Sequence, residues 1–182
     1  MPRKCQGAAP LPFSMAQRLL MLFTRHSESV GRKIIRREDA MPFGLHTKDT
    51  PGKGRILIVD DEASIRKALC LTLAKVGYDV VESDDGATGI AAIGADDNPL
   101  MVDVVICDIR MPKVNGLEAI AYFRRQYPSV PVIVLTGYPD IHLATSLLKQ
   151  GVVDYLVKPV ERDKLVACVE RAMERRTALV QH

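Results

Sequence analysis

RILIVDDEASIRKALCLTLAKVGYDVVES, residues 55–83, switches its hydrophobic period twice. RILIV is a nearly continuous apolar run, the mark of a strand covered on both faces. After the acidic DDE, apolar Ile65, Ala68, Leu69, Leu73 and Val76 recur at helical spacing, and Gly77 provides a stop. YDVVES (78–83) then returns to a strand pattern. Strand, helix and strand joined by such short connections make a parallel pair with a right-handed crossover.

The same alternation continues outward. GATGIAAIG (86–94) predicts a weaker helix, DDNP (96–99) a turn and DVVICD (103–108) a third strand. GLEAIAYFRRQYP (116–128) is a helix closed by proline, VPVIVLT (130–136) a fourth strand, and IHLATSLLKQG (141–151) a helix ending at glycine. DYLVK (154–158) is the fifth strand and ERDKLVACVERAMERR (161–176) the last helix. Five strands alternating with five helices predict an α/β protein, a three-layer doubly wound (βα)5 flavodoxin-like fold with parallel sheet order 2-1-3-4-5. In that order the first and third strands flank the switch point, beyond whose carboxyl ends ligands sit.

Residues 1–54 read differently. Prolines crowd the start, SMAQRLLMLF (14–23) could form one short helix, and HTKDTPGKG (46–54) is a linker by composition. The organisation expected is a basic N-terminal extension over 1–54, disordered or partly helical, a regular domain over 55–176, and a short tail over 177–182. The extension carries +6 and the remainder −3, so the chain's +3 belongs to the extension. That balance argues against a basic nucleic-acid-binding domain in the regular region. No apolar run approaches the roughly 20 residues of a membrane helix. Cys5, Cys70, Cys107 and Cys168 lie far apart with no CxxC pair, which argues against zinc and disulfides and for a reducing cytoplasm.

The chemistry lies at the strand ends. The first strand delivers Asp60, Asp61 and Glu62, the third Asp108, the fourth Thr136, and the fifth Lys158-Pro159. Two carboxylates about 4 Å apart repel by roughly 4 kcal/mol at an effective dielectric near 20, so the cluster calls for a cation. A site made only of oxygens favours magnesium, which keeps waters and takes further ligands from phosphate. A lysine and a hydroxyl beside it suit phosphoryl oxygens. Together they describe phosphoryl chemistry on an aspartate. Each residue also has an ordinary reading: Asp61 as a helix N-cap, Asp108 as a turn residue, Thr136 as a plain strand end, Lys158 as an exposed charge. Their coincidence on one sheet edge favours a site.

IVDDE (58–62), CDIRMP with Gly116 (107–116), VLTG (134–137) and DYLVKP (154–159) resemble the receiver (CheY-like) domain of two-component response regulators. The resemblance covers residues 55 to about 176. It implies that Asp108 accepts a phosphoryl group from a phosphohistidine. Asp60, Asp61, Asp108 and the backbone carbonyl of Arg110 would hold Mg2+. Thr136 and Lys158 would receive the phosphoryl group, Thr136 and Tyr155 would form the switch, and the Lys158–Pro159 bond would be cis. Arg110 and Tyr138 stand at two positions that tune phosphoryl lifetime in the family, and a bulky Tyr138 is expected to restrict water and lengthen it.

The expected partners are a sensor histidine kinase or histidine phosphotransfer protein and an unknown output protein. Only six residues follow Arg176, so a stand-alone receiver with no DNA-binding domain is expected, serving a phosphorelay or docking on another protein. Its responding surface would be the fourth helix, fifth strand and fifth helix, Ile141 to Arg176. Leu165, Val166, Val169 and Met173 there form a candidate homodimer seam. Such a domain is not an enzyme beyond catalysing its own phosphorylation and dephosphorylation. A haloacid-dehalogenase-type phosphatase needs a second carboxylate where Arg110 stands, an FMN carrier would meet repulsion from DDE, and a degenerate receiver would lack one of the acidic or lysine residues.

Overall fold

A computed structural model describes residues 34–35, 52–111 and 115–180. The chain divides into Met1–Gly31 and Arg32–His182, and the described residues belong to the second unit. Their elements run β1 (Ile34–Ile35), β2 (Arg55–Val59), α1 (Ala63–Val76), β3 (Asp79–Ser83), α2 (Gly86–Ile93), α3 (Asn98–Met101), β4 (Val102–Asp108), α4 (Gly116–Gln126), β5 (Val132–Thr136), α5 (Ile141–Lys149), β6 (Asp154–Val157) and α6 (Arg162–Val180).

Strands β3, β2, β4, β5 and β6 pair in that order, all parallel. Counted from β2, this is the expected order 2-1-3-4-5. Every residue of β2 and of β5 is buried, which is why those strands read as unbroken apolar runs. Alternate side chains serve two cores. Ile56, Ile58, Ile106 and Leu135 meet Leu73 of α1 and Val169 of α6 on one face. Leu57, Val59, Cys107 and Val134 meet Ile93 of α2, Phe123 of α4 and Leu147 of α5 on the other. Gly77 closes α1 at φ 109°, a left-handed conformation that suits glycine, and its N–H meets the Leu73 and Ala74 carbonyls.

Three elements differ from the sequence reading. The DDNP turn continues into α3, with Pro99 in its first turn. Buried Asn98 holds that turn in place, since its Nδ2 donates to the Ala92 carbonyl and its Oδ1 accepts from Arg55 Nη1. Helix α6 runs to Val180 rather than 176, because nothing in TALV stops a helix and Arg176 is anchored by Ser129 Oγ at 2.6 Å. Within the N-terminal extension, β1 lies antiparallel along the outer edge of β3, Ile34 opposite Val81 and Ile35 opposite Val80. The helix expected over 14–23 and the linker residues up to 51 fall outside the described residues, as does Pro112. No helix among the described residues is long and apolar enough to cross a membrane.

Candidate functional site

The parallel register delivers the strand ends to one edge. Val59 pairs with Cys107, Asp108 with Leu135, and Thr136 with Val157, so the residues just beyond them gather together. Asp60, fully buried, accepts at Oδ1 from Glu62 N at 2.9 Å, and its carbonyl accepts from Arg66 Nη1 at 2.6 Å. Asp61 is the more open carboxylate and does not cap α1. Glu62 holds the N-cap position, in extended backbone with no side-chain capping bond.

Asp108 is 3% exposed, and its Oδ1 accepts from Arg110 N at 3.0 Å. Behind it, Gly116 approaches so closely that a Cβ there would stand 1.8 Å from the Asp108 carbonyl oxygen. Thr136, equally buried, accepts at Oγ1 from Tyr138 N at 3.2 Å. Lys158 N donates to the Thr136 carbonyl at 2.8 Å, and the Lys158–Pro159 bond is cis, as the resemblance implied.

Lys158 ties these residues together. Its Nζ lies 2.7 Å from Asp108 Oδ2, 2.7 Å from Asp60 Oδ2 and 3.0 Å from Glu62 Oε1, with the side chain only 7% exposed. Burial alone disfavours the ammonium, but the hydrogen bonds it donates to Asp108 and Glu62, with its ion pair to Asp60, outweigh that and hold its pKa above the ordinary lysine value. Burial pushes the Asp60 carboxyl above its ordinary range, and Lys158 offsets only part of that.

The donor set fits a divalent cation. Oxygens of Asp60, Asp61 and Asp108 all lie within 4.8 Å of one another. Asp60 Oδ2 is buried and takes no hydrogen bond of good geometry, even though the Lys158 ammonium is at ion-pair distance. One lysine facing Asp60, Glu62 and Asp108, with Asp61 beside them, leaves the cluster short of positive charge. An all-oxygen set of this kind suits a hard ion such as Mg2+.

Two features were not foreseen from the sequence. Glu62 shares Lys158 with the two buried aspartates, although its place directly after Asp60-Asp61 offered a signal. At the rim, the Arg110 guanidinium stacks over the Tyr138 ring with 4.4 Å between Cζ and the centroid. The nearby Tyr155 hydroxyl accepts from Asp140 N at 3.3 Å and donates to the Tyr138 carbonyl at 3.5 Å. Such contacts between loops have no sequence signature.

A family model, the response regulator receiver domain, matches residues 56–170. The chain belongs to this receiver family. Over 121 residues this receiver is 39% identical to the DNA-binding transcriptional regulator NtrC of Escherichia coli, covering 66% of this chain and 25% of that protein. It is 35% identical over 121 residues to the transcriptional regulatory protein FixJ of Bradyrhizobium diazoefficiens, covering 66% of this chain and 57% of the other. Among solved structures, a receiver domain protein from Clostridium thermocellum matches with TM-score 0.65 and 31% identity, over 69% of this chain and 98% of that one. The chain thus spans between a quarter and about 57% of the curated relatives it matches.

The partner expectation needs correction. NtrC and FixJ are, by name, transcriptional regulators in which the matching receiver is only part of the length. The expectation of a receiver without a DNA-binding domain, working through a separate output protein, is therefore withdrawn. The physical reason is that a receiver's own residues read the same whether its output lies in the same chain or another. The homodimer seam goes with it: Leu165 and Val169 are buried beneath the sheet, and Met173 packs against the same core.

Proposed function

We propose that this receiver domain takes a phosphoryl group onto Asp108 and converts it into a change of surface. The observation that carries the reading is Lys158 Nζ at 2.7 Å from the buried carboxylates of both Asp60 and Asp108, with the Thr136 hydroxyl at the neighbouring strand end. In the step proposed, a carboxylate oxygen of Asp108 attacks the phosphorus of a phosphohistidine. The new O–P bond replaces the N–P bond, and the imidazole leaves with a proton.

Lys158, kept cationic by its carboxylate neighbours, pairs with a phosphoryl oxygen, and Thr136 donates its hydroxyl to another. Asp60, Asp61 and Asp108, with the Arg110 carbonyl, would hold Mg2+, which when bound neutralises carboxylate and phosphoryl charge. Phosphorylation adds about −1.5 to −2 charges. Drawing Thr136 inward shifts the loop before α5, and Tyr155 carries that shift to the α5–β6–α6 surface. On this reading the domain is no enzyme beyond turning over its own phosphoryl group, and it works in the cytoplasm, consistent with buried free thiols at Cys70, Cys107 and Cys168.

The test is acetyl phosphate with Mg2+. An acid-labile phosphoryl adduct is expected on the wild-type chain and none on Asp108→Asn; an adduct that persists in the variant sinks the reading. The exposed Tyr138 ring over Arg110 also supports a slowly hydrolysed phosphoryl group. Dephosphorylation several-fold faster in Tyr138→Ala is expected, and an unchanged rate counts against the shielding.

A further inference from the structure

Three contacts converge on Tyr138: from Thr136 at the end of β5, from Tyr155 within β6, and from Arg110 just beyond β4. Its N–H is held by the Thr136 hydroxyl at 3.2 Å, its carbonyl by the Tyr155 hydroxyl at 3.5 Å, and its ring by the Arg110 guanidinium at 4.4 Å. Tyr138 is 63% exposed, so burial in a core does not account for its position. Arg110 is itself tethered at the other end, since its N–H donates to Asp108 Oδ1 at 3.0 Å. A continuous path therefore runs from the Asp108 carboxylate through Arg110 to Tyr138 and on to Thr136.

We propose that Arg110 is a positioning residue whose guanidinium, stacked on Tyr138, latches the loop after β5 in the position seen here. The inference rests on the reading of Asp108 as phosphoacceptor and adds a control to it. Thr136 can move toward a phosphoryl group only if residues 137–140 move with it, and the stack opposes that movement. The latch acts before phosphorylation, on the ease of closing, and is distinct from any shielding of the phosphoryl group afterwards. A residue acting through a cation–π contact depends on the partner's aromatic face, not on its hydroxyl.

The test is a double-mutant cycle on the whole chain with Arg110→Ala, Tyr138→Leu and both together. Without ligand, amide hydrogen exchange at Gly137, residue 138 and Asp140 is expected to quicken about two- to fivefold in each single variant, the worth of an exposed cation–π contact. The double variant is expected to be no faster than either single one, and Tyr138→Phe, which keeps the ring, to restore the wild-type rate. Single variants that leave exchange unchanged, or effects that multiply in the double variant, overturn the latch. The second measurement is binding of beryllofluoride with Mg2+, which is expected to tighten about two- to fivefold in Tyr138→Leu and not in Tyr138→Phe. Equal affinity in wild type and Tyr138→Leu overturns the latch but leaves the phosphoacceptor reading standing. Failure of every variant and the wild type to bind beryllofluoride overturns both.

Discussion

At the scale of single residues, the site is a problem of charge held in low dielectric. Asp60 and Asp108 are both buried, and carboxylates so placed are tolerated only with a cation and hydrogen bonds at hand. Lys158 supplies the cation and backbone N–H groups supply hydrogen bonds at Oδ1 of each aspartate. Asp60, Asp61, Asp108 and Thr136 were legible in the sequence as polar residues ending apolar strands, and Lys158 through the DYLVKP motif. Gly116 was legible only as part of a motif. Its reason is steric: a methyl group there would stand 1.8 Å from the Asp108 carbonyl oxygen. Gly116→Ala is therefore expected to destabilise the domain by about 1–3 kcal/mol through overpacking. It should also slow phosphorylation by displacing Asp108. Urea denaturation and acetyl phosphate labelling check the two effects, and an unchanged midpoint would mean that the backbone of the loop gives way freely.

At the scale of elements, local signals and tertiary contacts contributed unequally. The start of α2 is local: Asp85 Oδ1 accepts from Thr88 N at 2.7 Å, while Asp85 N donates to Thr88 Oγ1 at 3.1 Å. This reciprocal cap compensates for the two glycines, Gly86 and Gly89, in a helix of eight residues. Thr88→Ala is expected to cost about 1 kcal/mol of stability, seen as a lower urea midpoint with unchanged slope. The short α3 is the opposite case. Nothing in DDNP distinguishes it from a turn, and it stands because buried Asn98 and the 8%-exposed Arg55 are paired there. The end of α6 is likewise decided at a distance, by Ser129 and Asp103 meeting Arg176.

At the scale of the whole molecule, two hydrophobic cores hold the sheet rigid while the loops at one edge carry the chemistry. Anything that binds the folded site and not the unfolded chain stabilises the whole domain. Mg2+ with beryllofluoride at 100 times its dissociation constant is expected to add about 2.7 kcal/mol. A chelator should remove that gain, and Asp108→Asn should never show it. Thermal unfolding followed by circular dichroism reads all three, and a gain that survives in the variant would place the binding elsewhere.

What the sequence determined by itself was the order and type of the five parallel strands and the five longer helices, and the identity of the edge residues. Strands buried on both faces are apolar nearly throughout, so a carboxylate or a hydroxyl ending one stands out, whereas Lys158 follows the partly exposed β6 and is marked by the DYLVKP motif instead. The tertiary structure alone decided which groups meet across loops: Glu62 with Lys158, Arg110 with Tyr138, Tyr155 with the Tyr138 carbonyl, and Arg176 with Asp103 and Ser129. These contacts join residues from different loops and helices, and their distances follow from how the chain packs. A residue's position in the sequence carries no record of a neighbour that only folding brings to it.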